Sequence, residues 1–348
     1  MLRENNIWLV LDSRTNGGIE THVLELAKGM DARGLEVTVI FLENYGLHPL
    51  REALCEAGIA TFSLDGRFRS LLKNIRKYRP ALIHSHGYKA GIFCCAAAHL
   101  TGSAHVSTFH AGDPGKGKLA LYDWLHRQAA RFIDVNFTVS AEISSRVPAT
   151  TQVINNFVLL PELGPKTGQQ LAFVGRLSEE KGPDRLLQTA GQLPQVRFEF
   201  YGDGPLMDSL KCGASANCSF HGNQADMADH WSNIDLLLMP SRYEGLPMAA
   251  LEAMARGIPV VAFDVGALDQ VIESGENGWL VQPNNLNAFQ DVIEHWLSLN
   301  RLQKQVIGVA ARQRIASQFS ARKNIPLILE QYHRATGSRF PTCDAFCE

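Results

Sequence analysis

The residues Ile234 to Phe263 read IDLLLMPSRYEGLPMAALEAMARGIPVVAF, and they decide the fold class. An apolar run ends at Met239, a polar loop follows, a helical segment begins near Pro247, and a second apolar run starts at Pro259. Short apolar runs and helical patterns alternate in this way along the whole chain. Because that alternation is typical of parallel sheets covered by helices on both faces, we expect an α/β protein.

The length of 348 residues exceeds what one hydrophobic core usually serves and predicts two domains. Residues 155–170 are rich in Pro and Gly without a sustained period, so we place the linker there. The expected parts are an N-terminal domain at 1–160, a C-terminal domain at 169–319, a last helix at 320–337 and a flexible tail at 338–348. Both domains should be doubly wound and bind ligands at the carboxyl ends of their strands.

Composition favours a globular protein, since 45% of the residues are hydrophobic and 20% are charged. No apolar run reaches the about 18 residues of a membrane span, and the short apolar start, closed by Asp12, is unlike a signal peptide. We therefore expect a cytoplasmic location. The seven cysteines should be reduced thiols, and the tail residues Cys343 and Cys347 lack the neighbours of a metal site.

Charge is unevenly placed. Residues 1–155 carry 17 Lys/Arg and 14 Asp/Glu, whereas residues 156–348 carry 16 and 21. Six cations and no acid lie between Arg67 and Arg79, on a helical pattern with an apolar opposite face. Two interpretations stay open, namely contact with an anionic membrane surface and a solvated helix packed on its sheet. Nucleic acid is not an expected partner, because no recognised binding motif accompanies these cations.

The loop before the helix in the quoted stretch suits an anion. Pro247 has no N–H and presets φ, so the helix is expected to begin close to Leu246. The backbone N–H groups of Gly245, Leu246 and Met248 would then favour a bound diphosphate. Glu244 and Glu252 flank this position, and ionised carboxylates accept hydrogen bonds from hydroxyl groups such as those of a sugar or ribose.

These residues carry a family resemblance. The E-x7-E spacing of Glu244 and Glu252, the preceding LLMPS and the following EAMARGIPVVA resemble the signature of the family 4 retaining glycosyltransferases, which have the GT-B fold. The form EGLP is similar to the branch that builds bacterial surface polysaccharides. The alternative interpretation of the segment is an ordinary acidic helix start before a buried strand.

The resemblance implies two Rossmann-like domains facing each other across a cleft, with a C-terminal helix crossing back to the N-terminal domain. It also implies that the C-terminal domain binds a nucleotide-diphosphate sugar, with a uridine diphosphate sugar favoured over a guanosine diphosphate sugar. The acceptor would be a glycan or a lipid-linked molecule, bound mainly by the N-terminal domain. Retention of configuration, no cofactor and no metal ligand are expected, and no D-x-D metal motif follows a candidate strand.

A second motif, LAFVGRLSEEKGPDRLL at 171–187, supplies cations after a strand. Arg176 can fork onto a diphosphate and Lys181 can act as a point charge. By resemblance both contact the donor diphosphate. Gly202, Gly222 and Asn223 follow two further strands and, by resemblance, flank the nucleotide base and ribose.

The third motif is Thr15-Asn16-Gly17-Gly18, between a strand and a helical pattern. Gly18 at the helix start permits close backbone contact with a phosphate, although the loop is not the G-x-G-x-x-G of nicotinamide sites. By resemblance, Gly17 and Gly18 face the donor phosphate and the acceptor. His110 follows the strand pattern of HVSTF, and by resemblance it lies beside the donor sugar. His84 and His86, in LIHSHG, are open to either a structural or a functional interpretation.

The expected mechanism is transfer by electrostatic stabilisation of the leaving diphosphate, with His110 and Glu244 in catalytic roles as groups that position the donor sugar. A front-face substitution is favoured because the sequence offers no clear enzymatic nucleophile. Two rivals remain open, a sugar-nucleotide epimerase on a similar fold and a non-catalytic sugar-nucleotide-binding regulator. A nicotinamide oxidoreductase is disfavoured by the missing glycine fingerprint.

Overall fold

The computed structural model describes residues 6–14, 17–110, 117–164, 168–224, 227–337 and 340. Contacts divide the chain into two units, one made of Met1–Leu159 with Ala321–Glu348 and the other of Leu160–Ser320. Each unit is built on a parallel sheet with helices between its strands, so the α/β prediction is confirmed. Thr15, Asn16, Cys343 and Cys347 lie outside the described residues, as does nearly all of the expected tail.

The first unit contains a parallel sheet in the order β3-β2-β1-β4-β5-β6-β7. Its strands are β1 (Ile7–Leu11), β2 (Val37–Phe41), β3 (Ala60–Ser63), β4 (Leu82–His86), β5 (Ala104–Phe109), β6 (Val135–Thr138) and β7 (Thr151–Val153). β1 reads IWLVL and is buried throughout, as expected of a central parallel strand covered on both faces. The strand order reverses between β1 and β4, which places a topological switch point at their carboxyl ends.

Helices of the first unit cover both faces of this sheet. They are α1 (Gly18–Asp31), α2 (Pro49–Glu56), α3 (Phe68–Tyr78), α4 (Tyr88–Thr101), α5 (Lys118–Ala129) and α6 (Ala141–Arg146). The helix Ala321–Thr336, which we number α13, is last in the chain, and its Ile325, Leu329 and Tyr332 belong to the core of the first unit. Hydrophobic burial therefore ties the end of the chain to its beginning.

The second unit repeats this topology with the order β10-β9-β8-β11-β12-β13. Its strands are β8 (Gln170–Val174), β9 (Phe198–Tyr201), β10 (Cys218–Gly222), β11 (Ile234–Met239), β12 (Val260–Phe263) and β13 (Gly278–Val281). Its helices are α7 (Pro183–Gln192), α8 (Met207–Gly213), α9 (Ala228–Trp231), α10 (Met248–Ala255), α11 (Leu286–Ser298) and α12 (Arg301–Arg314). The switch point of this sheet lies between β8 and β11.

Two further expectations concern thiols and membrane spans. Within the described ranges, Cys55, Cys94, Cys95, Cys212 and Cys218 are free thiols. No described helix combines the length and the apolar character needed to cross a membrane.

Candidate functional site

The motifs of the second unit follow the carboxyl ends of four neighbouring strands. Residues 175–181 follow β8, 202–205 follow β9, 223–224 follow β10 and 240–247 follow β11. Because the strands are parallel, these loops meet at one edge of the sheet. The segments that follow β8 and β11 stand on either side of the switch point, where doubly wound sheets bind ligands.

Glu244 and Lys181 form an ion pair at this switch point. Lys181 Nζ donates to Glu244 Oε2 at 2.6 Å, and Ser241 Oγ donates to Glu244 Oε1 at 2.7 Å. The Glu244 side chain is 2% exposed, whereas that of Lys181 is 29% exposed. Both carboxylate oxygens thus have a donor, and the ammonium group keeps donors for a ligand on its exposed side. Lys181, predicted to contact the donor diphosphate, and Glu244, predicted to accept from a sugar hydroxyl, therefore contact each other.

A second ion pair holds the loop 240–247 in place. Arg242 donates from Nη1 and Nη2 to the two oxygens of Asp184, at 2.8 and 2.6 Å. These bonds lower the pKa of the Asp184 carboxyl group. The backbone N–H groups of Arg242 and Tyr243 donate to Glu180 O at 2.8 and 3.3 Å. The forked pair fixes the loop after β11 to the start of α7. Sequence patterns did not predict this pair, because 58 residues separate the partners.

The start of α10 differs from the sequence prediction. The helix begins at Met248, and Pro247 precedes it in an extended conformation, with φ −75° and ψ 128°. The Pro247 carbonyl accepts from the N–H of Ala250 at 3.2 Å, so the proline lies just outside the first turn rather than inside it. Leu246 and Gly245 consequently belong to the loop, and Met248 supplies the first helical N–H. Leu246 and Met248 are buried.

Glycines allow the loops of this edge to approach one another. Gly266, after β12, has φ +64°, and a Cβ there would overlap the Glu244 carbonyl oxygen. Gly182 has φ +65° and lies equally close to the Pro240 carbonyl oxygen. Both positions therefore require glycine for conformation and for space. Gly266 was not among the predicted site residues, although a glycine just after a strand is a visible signal.

The remaining predicted donor-site residues of the second unit also lie along this edge. Gly202 N donates to Gly222 O at 2.8 Å, which brings the ends of β9 and β10 together. Gly202 has φ +136°, and its Cα faces the carbonyl of Gly175 at a distance that leaves no room for a side chain. Arg176 and Asn223 are exposed, and Glu252 is half-buried on α10.

In the first unit, the start of α1 already holds a carboxylate. Gly17 is the residue before the helix, and Gly18 is its first residue. The backbone N–H groups of Gly17 and Glu20, with Ser13, hydrogen-bond the Glu20 carboxylate, while burial raises the pKa of this group. Glu20 was not a predicted site residue. A phosphate at this terminus would meet the carboxylate of Glu20, so the predicted contact through Gly17 and Gly18 requires that group to move or to be protonated.

His110 belongs to a cluster of three histidines, in which His22 and His86 are buried and His110 is half-buried. It follows β5, and its Nε2 lies 3.1 Å from Nδ1 of His86, the last residue of β4. His22, on α1, has its ring centroid 5.0 Å from that of His110 and 5.7 Å from that of His86. Burial lowers the pKa of His22 to about 4 and holds the pKa values of His86 and His110 well below the ordinary 6.5. These imidazoles are therefore neutral near pH 7.

His84 has a structural place in the same sheet. Its Nδ1 lies 2.5 Å from the Tyr332 hydroxyl of α13, and its Nε2 lies 2.7 Å from Thr108 Oγ1. Both ring nitrogens are thus engaged within the core. The other three histidines each offer a ring nitrogen, and these nitrogens lie within 4.8 Å of one another. Among the described residues, this is the group of side chains with the geometry to hold a metal ion.

Sequence profiles of two families match consecutive parts of the chain. The profile described as Glycosyltransferase Family 4 matches residues 16–159, and that described as Glycosyl transferases group 1 matches residues 161–314. Together they cover both units. The chain belongs to the family 4 glycosyltransferases. The family resemblance of the Glu244 to Glu252 segment is thereby confirmed.

A curated relative of this family-4 chain is the D-inositol 3-phosphate glycosyltransferase of Mycobacterium tuberculosis strain H37Rv. It is 33% identical over 185 residues, a match that spans 50% of this chain and 38% of the relative. The matched part is therefore well under two thirds of that protein.

Solved glycosyltransferases share the fold. HepE of Anabaena, crystallised with UDP-glucose, aligns with a TM-score of 0.80 at 20% identity over 93% of this chain and 98% of that one. The sucrose-phosphate synthase of Thermosynechococcus elongatus aligns with a TM-score of 0.78 at 20% identity over 95% and 98%. The family-4 chain thus has the GT-B type of fold, with two Rossmann-like domains.

Proposed function

We propose that the protein transfers a sugar from a nucleotide-diphosphate donor to a glycan or lipid-linked acceptor during the synthesis of a cell-surface polysaccharide. The observation that carries this proposal is the Lys181–Glu244 ion pair at the switch point of the second sheet. An ammonium group held by a buried carboxylate suits an anionic leaving group. A uridine diphosphate sugar is favoured, and the UDP-glucose bound to HepE supports that choice of donor class.

In the proposed reaction the bond between the anomeric carbon and the diphosphate oxygen breaks as the acceptor oxygen forms its bond to the same carbon. Negative charge grows on the leaving diphosphate, and Lys181, Arg176 and the N–H of Met248 stabilise it. Glu244 orients Lys181 and accepts a donor-sugar hydroxyl. The acceptor proton passes to the leaving phosphate oxygen. This front-face course retains the anomeric configuration and needs no metal.

His110 is assigned to the donor sugar on the same proposal. Its low pKa, caused first by burial, keeps the imidazole uncharged. A neutral imidazole exchanges one hydrogen bond with a sugar hydroxyl without adding a charge next to the anomeric carbon. We therefore expect His110 to position the sugar rather than to titrate during turnover.

The test of this proposal is a donor screen with two matched arginine variants. Thermal stabilisation by uridine-, guanosine- and adenosine-diphosphate sugars is measured first, since a ligand at 100 times its dissociation constant adds about 2.7 kcal/mol. Arg176→Ala should lose donor stabilisation and transfer. Arg197→Ala should keep both, because Arg197 is also exposed but precedes β9 at the opposite edge of the sheet.

The outcomes separate the proposal from its rivals. Product that forms only when an acceptor is added supports transfer. Conversion of the donor to a second sugar nucleotide without acceptor would instead identify an epimerase. Donor binding without turnover across a panel of glycan and lipid-linked acceptors would identify a regulator.

Contact with an anionic membrane surface is the second part of the proposal. The six cations from Arg67 to Arg79 are exposed, while Leu71 and Ile75 of α3 are buried in the core of the unit. The apolar side of α3 is thus mostly used by the fold, and its cations remain exposed together with Tyr78. α4 contacts both α3 and α5, so these helices lie side by side.

α5, which packs on α4 as α3 does, adds exposed apolar side chains. Trp124 is 53% exposed, and Leu119, Leu121, Tyr122 and Leu125 are exposed as well. Exposed aromatic and aliphatic side chains beside Lys and Arg are typical of surfaces that meet lipid headgroups. We propose that α3 and α5 hold the enzyme at the inner face of the membrane, where a lipid-linked acceptor would be presented.

A further inference from the structure

Three imidazoles from three separate elements converge in the first unit. His22 comes from α1, His86 ends β4, and His110 follows β5. Their ring centroids are 5.0 to 5.7 Å apart, and one ring nitrogen from each lies within 4.8 Å of the others. The sheet and the first helix thus hold the three rings together, and no described carboxylate belongs to the group.

The neighbouring residues leave parts of this cluster without a partner. His22 Nδ1 is buried and makes no hydrogen bond among the described residues, and His86 Nδ1 has only the ring nitrogen His110 Nε2 beside it, at 3.1 Å. The two residues are only 2% and 1% exposed. A buried ring nitrogen without a partner costs free energy, so such atoms point to a ligand. His84, in contrast, has both nitrogens engaged and is not available.

The spacing suits a transition metal. In a tetrahedral site with Zn–N bonds of about 2.0–2.1 Å, two ligand nitrogens are about 3.3 Å apart. His86 Nδ1 and His110 Nε2 already lie 3.1 Å apart. Imidazole is a preferred ligand of zinc, whereas magnesium and manganese prefer the oxygen ligands that this cluster lacks.

We propose that His22, His86 and His110 bind one Zn²⁺ ion with three imidazole ligands and a water molecule in the fourth position. The ion gives a partner to a cluster of imidazoles that the fold leaves incompletely paired. The binding itself rests on the geometry of the first unit alone.

A functional consequence follows if the proposed transfer reaction is correct. A metal-bound His110 has given its nitrogen lone pair to the ion and can no longer hydrogen-bond the donor sugar through that atom. Zinc therefore inhibits transfer, and the reaction without zinc needs no metal. The site would make the enzyme responsive to the concentration of free zinc.

The test uses Co²⁺ as an optical probe in the full-length protein. Tetrahedral Co²⁺ with nitrogen ligands absorbs visible light, so titration reports binding without any assay of activity. The wild type should bind one equivalent, and Zn²⁺ should displace it. His22→Gln should weaken binding by at least about 100-fold, because loss of a ligand costs no less than loss of a group that supports one. His99→Gln is the matched control, since His99 is exposed on α4.

A second variant protects the test against misfolding. His22→Phe keeps an aromatic ring against Phe157, since the ring centroids of His22 and Phe157 lie 5.3 Å apart in an edge-on arrangement. Both variants are checked by circular dichroism and thermal melting before titration. The site is refuted if the wild type shows no tetrahedral spectrum, or if a folded His22 variant binds Co²⁺ as tightly as the wild type.

The inhibition is measured separately. Zn²⁺ should abolish transfer by the wild type and by His99→Gln, a chelator should restore it, and His22→Gln should resist it. Binding without inhibition would keep the metal site and overturn the donor-sugar role of His110. A Co²⁺ spectrum in a protein that turns over no donor would keep the metal site and reject the proposed transfer.

Discussion

The two units share one topology and differ in the chemistry at the carboxyl ends of their strands. In the first sheet, β4 borders the switch point and ends in His86, and His110 follows the neighbouring β5, so two neutral histidines lie at this edge. In the second, the equivalent edge carries the ion pairs Lys181–Glu244 and Arg242–Asp184. Burial away from water disfavours the charged form of the side chains at the first edge. Direct contact between opposite charges favours the charged form of the side chains at the second edge. A doubly wound sheet thus determines where a site lies, and the side chains at that position determine its chemistry.

The largest expected difference between the units is in their response to acid. Burial lowers the pKa of seven histidines in the first unit, His22, His48, His84, His86, His105, His110 and His126. In the unfolded chain they take up protons near pH 6.5, whereas in the fold His22 does so at about pH 4. The unfolded state then binds more protons, so stability is lost as the pH falls from 6.5 towards 4. His22 alone corresponds to about 3 kcal/mol.

Thermal melts at pH 7, 6 and 5 measure this loss of stability. Hydrogen exchange measured on individual peptides then shows which of the two units is destabilised. His126→Gln provides the control, because it cannot titrate and can still hydrogen-bond Ser107, which lies 2.9 Å from His126 Nε2. Its pH dependence should be shallower than that of the wild type. An unchanged slope, or a loss confined to the second unit, would contradict the prediction.

The next largest effect is expected from the ion pair of the second unit. Lys181→Met leaves the carboxylate of Glu244 buried with one donor fewer, and it removes a cation from the leaving group. We expect transfer to fall by about 10²–10³-fold and the free energy of unfolding to fall by about 1–3 kcal/mol. Steady-state kinetics and urea unfolding measure the two quantities.

A double-mutant cycle with Glu244→Gln sharpens this prediction. Because each partner serves the other, the double variant should lose less than the sum of the single losses. Strictly additive losses would mean that the two side chains act independently.

A smaller effect is expected when a side chain is added at Gly266, where the backbone approaches that of Glu244. An alanine there has to adopt φ +64° and also overlaps the Glu244 carbonyl oxygen. Gly275→Ala is the matched control, because it has φ +87° and nothing within 4 Å of its Cβ. Gly266→Ala should destabilise the protein by about 1–3 kcal/mol more than the control and should weaken donor binding. An equal loss of stability in the two variants would show that the loops after β11 and β12 can move apart without cost.

The smallest effect is expected at the membrane surface of the first unit. Lys73→Glu and Arg76→Glu should each weaken binding to phosphatidylserine vesicles by roughly fivefold or more, since a cation near such a surface contributes about 1 kcal/mol. Lys211→Glu, on exposed α8 of the second unit, is the control. Vesicle sedimentation at two salt concentrations measures the change. Equal binding by all variants would exclude α3 from the contact.

Sequence patterns predicted the fold well because parallel strands are short apolar runs with strong boundaries. They also placed Lys181 and Glu244 after strands whose order puts their ends side by side. The direct contact between the two side chains could not be predicted, since 63 residues separate them and nothing local reports the pairing. Local rules predicted a helix start near Leu246, yet Pro247 lies outside the first turn, and its carbonyl accepts a hydrogen bond from that turn.

The histidines show a second limit of sequence patterns. LIHSHG places His84 and His86 on one face of β4, which the period of a strand reveals. Which of them is committed to the core depends on Tyr332 and Thr108, supplied by distant parts of the chain. Glu20 was missed for a related reason, because an acid in the first turn of a helix is ordinary until its burial is known.

The place of α13 in the core of the first unit has a consequence for synthesis on the ribosome. Ile325, Leu329 and Tyr332 emerge only after the whole of Leu160–Ser320 has been translated, an interval on the order of 10–30 s at typical elongation rates. During that time the nascent first unit exposes the apolar surface that α13 will cover, whereas the second unit has all of its own residues as soon as this interval ends. The unit that is made first is therefore completed last, and it depends longest on protection from chaperones.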